Sequence, residues 1–202
     1  MTQSPFTTPT RLVGDLVVVE PLQPAHHDGL VEAVRDGELW QHWYTRIPTP
    51  ESMAEEIAAR LAKQEAGQVA AFTVRAADTG QVLGMTTYLH PDEPNRRLEV
   101  GSTWLRASAQ GTGANAETKL LLLAHAFEVL GCEAVEFRAH HLNQQSRAAI
   151  ERLGAHLDGV LRRHVLLPNG TWRDTCVYSV LAQEWPAVRA GLRARLARRL
   201  PD

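Results

Sequence analysis

The sequence predicts a single domain of mixed α/β structure, in the α+β class. Segments rich in strand-forming residues alternate with segments whose apolar residues recur at helical spacing. The turns Asp78-Thr79-Gly80 and Pro168-Asn169-Gly170 are typical of β-hairpins, which join antiparallel neighbours. The chain of 202 residues, with 44% hydrophobic side chains, is long enough to bury one sizeable core.

Six elements are predicted in the first half of the chain. Pro24 suits the first turn of a helix, Thr49 can cap the start of a second, and Gly37 and Gly67 can end them. Apolar runs mark the strands. The predicted order is a strand over residues 12–21, helices over 24–37 and 49–67, and strands over 69–75, 81–89 and 98–105.

The second half repeats this alternation and ends in a helix with an apolar stripe and many arginines. Those arginines can face solvent, or they can bind RNA or an acidic partner. We expect a flexible leader over 1–10, one domain over 11–182, and a helix over 183–202 that packs on that domain. The predicted order is a helix over 115–130, a strand over 133–139, a helix that opens near 143, strands over 160–167 and 172–181, and a terminal helix over 183–200.

Composition argues against several classes of protein. The net charge of −2 gives no general reason to expect nucleic acid as a partner. No apolar run is long enough for a membrane span and no signal peptide is evident, so we expect a cytoplasmic protein. Cys132 and Cys176 are too few for a disulfide framework and are expected to be buried thiols. The nine histidines show no metal-ligand spacing, and adjacent His140 and His141 should point to opposite faces of a strand.

A glycine-bearing turn joins the strand predicted at 98–105 to the helix that follows it. Main-chain N–H groups and the helix dipole favour an anion at such a turn, and glycines let a pyrophosphate approach the backbone. The turn lacks the Lys and Ser/Thr of a Walker loop, and Ala116 replaces the third glycine of a dinucleotide fingerprint. A turn without any ligand stays open as an alternative. Its residues are Gln110, Gly111, Thr112, Gly113, Ala114 and Asn115.

Motifs along most of the chain resemble one enzyme superfamily. The turn is similar to the Gln/Arg-x-x-Gly-x-Gly/Ala loop that binds coenzyme A in GNAT acetyltransferases, apart from Asn115 at its last position. The runs around it resemble the RimJ/RimL-like branch, the ribosomal-protein N-terminal acetyltransferases. This resemblance implies the GNAT fold, in which a central, mostly antiparallel twisted sheet with splayed central strands is flanked by helices. It covers residues 10–187, and its segments are 99–105, 115–131, 143–155, 159–162, 169–175 and Ser179.

The resemblance also implies acetyl-CoA as the co-substrate. The glycine turn would bind its pyrophosphate, Asn115 can contact a phosphate, and Asn143 is placed to bond the pantetheine amide. The pantetheine arm would lie between the strands predicted at 98–105 and 133–139, which splay apart in this family. Main-chain N–H groups of the first of these strands would bond the thioester carbonyl.

Transfer of an acetyl group to an amine needs a base and an acid. Glu99 is the candidate base, acting directly or through water, and an ion pair with Arg97 or another surface cation is its structural alternative. Many members of the family place a tyrosine acid seven residues after the position of Asn143, where this chain has Ile150. Ser146 stands where RimL-like enzymes are thought to use a serine near the sulfur, so it is the candidate acid and a donor contact. Capping the helix start is its alternative role.

Two groups of residues are candidates for the acceptor site. An aromatic group falls where this family lines its acceptor groove, although it can equally bury one helix against another. It comprises Trp40, Trp43 and Tyr44. A second group near the last hairpin can contact an acceptor carboxylate, with an ion pair to Asp174 or Asp158 as the alternative. It comprises Arg162, Trp172 and Arg173.

These observations predict an N-acetyltransferase in which the amine attacks acetyl-CoA directly within a ternary complex. The resemblance favours the α-amine of a protein or peptide as the acceptor. A small-molecule amine, such as an amino acid, a peptide antibiotic or a polyamine, is the first alternative. A coenzyme A-binding sensor without turnover is the second. Neither a metal nor a membrane is expected, and the terminal helix could pair two chains into a homodimer.

Overall fold

The computed structural model describes residues 4–198, which contain one sheet of eight strands. Their order across the sheet is β1-β2-β3-β4-β5-β6-β8-β7, and every neighbouring pair is antiparallel except β5 and β6. The predicted α+β class with a mostly antiparallel sheet is confirmed. The strands are β1 (Leu12–Val13), β2 (Val17–Pro21), β3 (Val69–Ala76), β4 (Val82–Asp92), β5 (Arg97–Leu105), β6 (Ala134–His140), β7 (His156–Leu166) and β8 (Trp172–Leu181).

Helices cover both faces of this sheet and bury a core on each. The helices are α1 (His27–Arg35), α2 (Met53–Glu65), α3 (Ala114–Ala124), α4 (Gln144–Glu151) and α5 (Trp185–Ala197). The core beneath α1 and α2 includes Leu30, Met53, Met85 and Trp104. The larger core on the α3 face includes Val100, Leu122, Phe137, Tyr178 and Leu192. The expected buried thiols, Cys132 and Cys176, are confirmed.

The strands β5 and β6 pair over three residues and then diverge. The parallel pairs join 97–99 to 134–136, and no pairing between the two strands continues beyond them. Further along β5, Ser102 and Thr103 stand opposite Thr86 alone, and Ser102 has a φ of 47°. This bulge bends β5 away from the direction of β6. The predicted splaying of the two central strands is therefore confirmed.

The segment predicted as one strand over 12–21 is in fact a tight hairpin of β1 and β2. The carboxylate of Glu117, on α3, accepts hydrogen bonds from the N–H groups of Asp15, Leu16 and Val17, at 3.1, 2.7 and 2.7 Å. These bonds satisfy the main chain where it reverses. The partner lies a hundred residues away, so the local pattern of the sequence carries no sign of it.

The expected flexible leader is corrected for residues 4–10. Ser4 caps a short 3₁₀ turn over Pro5–Thr7, and Phe6 is buried in the α3-side core. Burial of the phenyl ring stabilises this contact and holds the segment against the sheet. Residues 1–3 and 199–202 lie outside the described residues, so the predicted terminal helix is followed only to Ala197.

Helix boundaries also differ from the prediction, most clearly at the start of α2 and the end of α3. The helix α2 begins at Met53, because Thr49 and Ser52 exchange side-chain and main-chain hydrogen bonds in the turn before it. The helix α3 ends at Ala124 and continues as a π-helical turn over His125–Val129. Within residues 4–198, none of the helices has both the length and the apolar character that a membrane span requires.

Candidate active site

The loop at residues 110–115 presents main-chain N–H groups that have no acceptor in the described part of the chain. Gly111 and Gly113 adopt φ values of 78° and 110°, the left-handed region that favours glycine. The helix α3 begins directly after Gly113, so its positive dipole end lies at the same place. This arrangement can bind an anion. The N–H groups without an acceptor among residues 4–198 are those of Gly111, Thr112, Gly113, Asn115 and Ala116.

Side chains hold this loop from both of its ends. The hydroxyl of Thr112 donates to the carbonyl of Ala109 at 2.7 Å. The side chain of Gln110 donates to the carbonyl of Leu105 and accepts from Gln145, each at 3.1 Å. The loop is therefore fixed relative to the end of β5 and the start of α4, and its N–H groups need little rearrangement to bind a ligand.

Asn143 and Ser146 lie at the start of α4. The Asn143 Oδ1 atom accepts a hydrogen bond from the Ser146 N–H at 3.0 Å, so Asn143 caps the helix. Its amide N–H groups stay free to donate. The Ser146 hydroxyl is half-buried and has no partner among residues 4–198, which contradicts the alternative that it bonds the helix backbone. Ile150, at the position where many family members have a tyrosine, is buried.

Glu99 lies at the last pair between β5 and β6, and its carboxylate is buried on the face covered by α1 and α2. The residue is 6% exposed. Its Oε2 atom lies 3.3 Å from Arg138 Nε and 3.8 Å from His90 Nδ1. Burial raises the pKa of Glu99 to about 7, although the charge of Arg138 acts to lower it. Arg97, which the sequence offered as one possible ion-pair partner, pairs with Glu136 instead, and Arg138 is the other cation that lies beside Glu99. Glu99 can therefore gain and lose a proton near neutral pH.

Lys119 approaches the opening between β5 and β6 from the other face of the sheet. Its side chain is buried, and its Nζ donates a hydrogen bond to Thr103 Oγ1 at 2.8 Å. The Nζ also lies 5.8 Å from the centroid of the Phe137 ring on β6. Burial lowers the pKa of Lys119 to about 7, against the charge of Glu99, which raises it. Lys119 was not predicted from the sequence, although a lysine directly before the four leucines of α3 was a usable signal.

The aromatic residues between α1 and α2 divide into two roles. Trp40 packs against the core beneath α1 and α2. Trp43 is 51% exposed, and its ring meets those of Tyr44 and His140 edge-on, at 5.5 Å in each case. We call Trp43, Tyr44, His140 and His141 the aromatic cluster. It lies on the same side of the sheet as Glu99. His140 and Arg138 are two residues apart on β6, so they share a face, and Arg138 contacts Glu99.

His140 contributes a buried polar atom to this cluster. Its Nδ1 accepts a hydrogen bond from the Leu142 N–H at 3.1 Å, and burial lowers its pKa, so the neutral ring carries its hydrogen on Nε2. That Nε2 is buried without a partner among residues 4–198. The expectation that His140 and His141 point to opposite faces is wrong. Their rings stack at 4.7 Å, because β6 ends at His140 and its alternation stops there.

The residues predicted near the last hairpin take different places. Arg162 forms an ion pair with Asp174 at 2.6 Å and is largely exposed, which is the alternative left open by the sequence. Trp172 is half-exposed beneath the guanidinium of Arg163. Arg173 is half-buried and turned toward the site. Burial lowers its pKa, and Glu99 is the charge that most opposes this effect.

The candidate site has groups on two sides of the opening between β5 and β6. The loop at 110–115, Ser146 and Lys119 lie toward α3 and α4, while Glu99, Arg138 and the aromatic cluster lie toward α1 and α2. Glu99 also lines a pocket of about 160 Å³ together with His90 and Arg97. Among residues 4–198, no three His, Cys, Asp or Glu side chains are grouped so that they could hold a metal ion. The arrangement suits proton transfer beside a ligand that enters between the two diverging strands.

Comparison with known proteins identifies the family. The family model described as an acetyltransferase (GNAT) domain matches residues 17–156. Over 106 residues the chain is 33% identical to a Bacillus subtilis (strain 168) protein named "Putative ribosomal N-acetyltransferase YdaF". That match covers 52% of this chain and 57% of the relative, so the chain spans little more than half the length of the curated relative it matches.

Solved structures extend the likeness to nearly the whole chain. A GCN5-related N-acetyltransferase from Brucella melitensis is 31% identical and superposes with a TM-score of 0.83, over 96% of this chain and 88% of that one. Mycobacterium smegmatis RimJ in complex with CoA-disulfide is 19% identical and shares the fold, with a TM-score of 0.79 over 94% and 96% of the two chains. The predicted GNAT fold is confirmed, and RimJ is among the solved structures that share it. The chain therefore belongs to the GNAT family of acyl-CoA-dependent N-acetyltransferases.

Proposed function

We propose that this protein transfers the acetyl group of acetyl-CoA to the α-amino group of a protein or peptide. One observation carries the proposal: the loop with unpartnered N–H groups stands at the end of β5, the strand that diverges from β6 beside the buried carboxylate of Glu99. A thioester directed between these strands meets an acceptor that enters from the side of the aromatic cluster.

The donor is held by the groups that the family uses. The loop N–H groups that have no acceptor in the described part of the chain bind the pyrophosphate, and the side chain of Asn115 adds a contact to a phosphate. The amide nitrogen of Asn143 donates to the pantetheine, because its carbonyl oxygen is already used to cap α4. The free hydroxyl of Ser146 lies toward the thiol end and donates a hydrogen bond to the sulfur.

Glu99 serves as the base for the acceptor. An α-amino group has a pKa near 8, so a carboxylate whose pKa is about 7 is well matched to take its proton. The amine then attacks the carbonyl carbon of the thioester, the C–N bond forms, and the C–S bond breaks. The Arg138 guanidinium beside Glu99 keeps part of the carboxylate population charged at neutral pH.

The aromatic cluster supports a peptide as the acceptor. Trp43 and Tyr44 offer half-exposed ring faces beside the Nε2 of His140, which can donate to a main-chain carbonyl. Such a surface suits an extended chain. The name of the relative YdaF as a ribosomal N-acetyltransferase points the same way.

A small amine that also carries a carboxylate is the second candidate. The positive charges of Arg46 and Arg138 both lower the pKa of the half-buried Arg173. These three arginines therefore form a positive edge of the site. Guanidinium groups bind carboxylates with paired hydrogen bonds. The same edge fits an acidic side chain near the start of a peptide. A coenzyme A sensor without turnover would have no use for a buried carboxylate with a raised pKa at the point where the strands diverge.

Release of free thiol from acetyl-CoA tests these candidates. The acceptor panel holds short peptides with free N-termini, the same peptides with blocked N-termini, free amino acids and polyamines. We expect thiol release with the unblocked peptides and mass spectrometry to place the acetyl group on the α-nitrogen. Release only with amino acids or polyamines would reverse the order of the two candidates. Absence of release with every acceptor, despite binding of coenzyme A, would support the sensor.

A further inference from the structure

We propose that Lys119 is the acid that protonates the departing thiolate of coenzyme A. This inference rests on the proposed function, since it assigns a role within the same transfer. It starts from the place of the Lys119 Nζ, which lies between a hydrogen-bond partner on β5, Thr103, and the face of an aromatic ring on β6, Phe137.

Both contacts lie beyond the last pair of β5 and β6. Thr103 belongs to the bulge of β5, and Phe137 is the first residue of β6 after the paired segment 134–136. The amine of Lys119 therefore stands in the opening where the two strands diverge. It is carried by α3, the helix that starts at the glycine loop, about 8 Å along the axis from Ala114. A pantetheine arm that runs from the loop into the opening passes this amine.

A structural role alone does not account for a lysine here. Among residues 4–198, no carboxylate lies within ion-pair distance of its Nζ. An unpaired ammonium in a core is costly, whereas a methionine of similar length would pack there without that cost. The Thr103 hydroxyl also has a second partner in Thr86, at 2.7 Å.

Among the charged and titratable groups around Lys119, one has a charge that shifts its pKa. On β5 this is Glu99, whose negative charge favours the ammonium form. On β4 the hydroxyl of Tyr88 donates to the carbonyl of Leu122 and lies 3.4 Å from His125, whose pKa burial lowers, so that ring is neutral. On α3 itself, Glu117 accepts from the main chain near β2. Burial brings the pKa of Lys119 down to about 7, close to that of Glu99.

The two residues stand on opposite faces of the sheet. Leu98 and Val100 of β5 belong to the core on the α3 face, so Glu99 between them points to the acceptor side, while Lys119 approaches from the donor side. Glu99 accepts the proton of the attacking amine. As the C–S bond breaks, the sulfur takes a proton from the Lys119 ammonium. The products are the acetylated amine and coenzyme A thiol, and the enzyme keeps a protonated Glu99 and a neutral Lys119.

Exchange with solvent then returns Glu99 to the carboxylate and Lys119 to the ammonium, so protons balance over each turnover. The pairing of pKa values suits the task, because a thiol has a pKa of about 8.5 and takes a proton readily from an ammonium with a pKa of about 7. A serine hydroxyl is a far weaker acid. The geometry thus leaves Ser146 as a hydrogen-bond donor to the sulfur and makes Lys119 the proton donor. This chain has Ile150 at the position where many family members have a tyrosine acid.

The lysine content of the chain allows a direct measurement on the unmodified protein. The sequence has two lysines, Lys119 and the exposed Lys63 of α2. Protein labelled with carbon-13 at the lysine ε-carbon gives two resonances, which a Lys63→Arg variant assigns. We expect Lys119 to titrate about two pH units or more below the ordinary value of a lysine side chain. The pKa of Lys119 should differ by about 0.5 unit or more between the complex with coenzyme A and the complex with desulfo-coenzyme A, which lacks only the sulfur. Equal titrations with the two ligands would overturn the proposal.

Kinetics provide the second test. Lys119→Met should lower kcat about 100-fold, with an acetyl-CoA Kd within about threefold of the wild type, and should remove the fall of kcat at high pH. Lys119→Arg should be equally slow, because a guanidinium keeps its proton. Ser146→Ala should retain the fall at high pH. Full kcat with an unchanged pH profile in Lys119→Met would overturn the proposal and leave the transferase assignment intact. If wild-type protein releases no thiol with any acceptor, the proposed function fails instead, and the titration still reports on the contact.

Discussion

Gly101 leaves open the space that the carboxylate of Glu99 occupies. A Cβ atom at position 101 would lie 2.5 Å from Glu99 Oε1 and 2.8 Å from Leu89 Cδ1, closer than real contacts allow. The two residues are two apart on β5, so their side chains point to the same face. The missing side chain at Gly101 therefore sets the position of the proposed base.

Replacement of Gly101 by alanine should displace that base. We expect Gly101→Ala to lower kcat about tenfold or more, with an acetyl-CoA Kd within about twofold, because the donor loop is not touched. Gly159→Ala is the matched control, since a Cβ there meets no atom within 4 Å. Steady-state kinetics and calorimetry measure the two quantities. In the Glu99→Gln background the alanine should cost no further activity, and an additive loss would show that Gly101 acts through another group.

The pH profile of kcat should report Glu99 directly. A base works in its deprotonated form, so with a pKa of about 7 the wild-type kcat should rise tenfold per unit below pH 7. At higher pH it should fall again, as the proposed acid Lys119 loses its proton. Glu99→Gln should lose this rise and should be slower than the wild type chiefly above pH 7, where the wild-type carboxylate is ionised. The profile is measured at saturating acetyl-CoA and acceptor. A rise near pH 7 that persists in Glu99→Gln would assign the base to another group, such as His90 or water.

The order of elements could be predicted from the sequence because each left a local mark. Hairpin turns, helix-ending glycines and the glycine loop each involve a few neighbouring residues. The observed strands lie within a few residues of their predicted positions, except that the segment 12–21 is split and β7 starts earlier than predicted. The Glu117 contact that reverses the chain after β1 could not be predicted, since its partners are a hundred residues apart. The same limit hid the Lys119 contacts and the stacked His140 and His141 rings. They depend on where β5 and β6 stop pairing, which no local pattern records.

A charge placed in the glycine loop should weaken binding of coenzyme A. Gly111 has a φ of 78°, which strains any side chain, but a Cβ there meets no atom within 4 Å. Asp and Asn adopt this region more readily than other residues, so the two substitutions should carry similar strain. The two side chains are nearly isosteric and differ by one negative charge. We expect Gly111→Asp to bind coenzyme A about tenfold more weakly than Gly111→Asn, or about 1.4 kcal/mol, by isothermal calorimetry. Equal affinities would place the pyrophosphate elsewhere.

Two tryptophans in one short segment should give opposite results. Trp43 is half-exposed in the aromatic cluster, so Trp43→Ala should raise the acceptor KM about fivefold or more and leave the melting temperature nearly unchanged. Trp40 packs on the core beneath α1 and α2, so Trp40→Ala should lower the free energy of unfolding by about 2 kcal/mol with little change in KM. Kinetics and thermal unfolding of both variants separate these outcomes. A stability loss without a KM change in Trp43→Ala would remove it from the acceptor site.

The Glu117 carboxylate should contribute to stability through its three main-chain hydrogen bonds to residues 15–17. A glutamine retains one oxygen as an acceptor and brings an NH₂ group against N–H donors, so Glu117→Gln leaves at least one buried donor unsatisfied. We expect a loss of about 2–3 kcal/mol in the free energy of unfolding in urea. Glu32→Gln, at an exposed position on α1, is the matched control and should change stability by less than about 0.5 kcal/mol.

Hydrogen exchange locates that loss. The amides of Leu16 and Val17 should exchange much faster in Glu117→Gln. Amides in the centre of β4 should lose only the protection that the lower global stability explains. This pattern is expected because the hairpin of β1 and β2 is tied to α3 by this carboxylate, and Gly14 leaves room for it: a Cβ at position 14 would lie 2.4 Å from Glu117 Oε2. Unchanged protection at both amides would mean that the strand pairing alone holds the hairpin, and that the carboxylate is incidental to it.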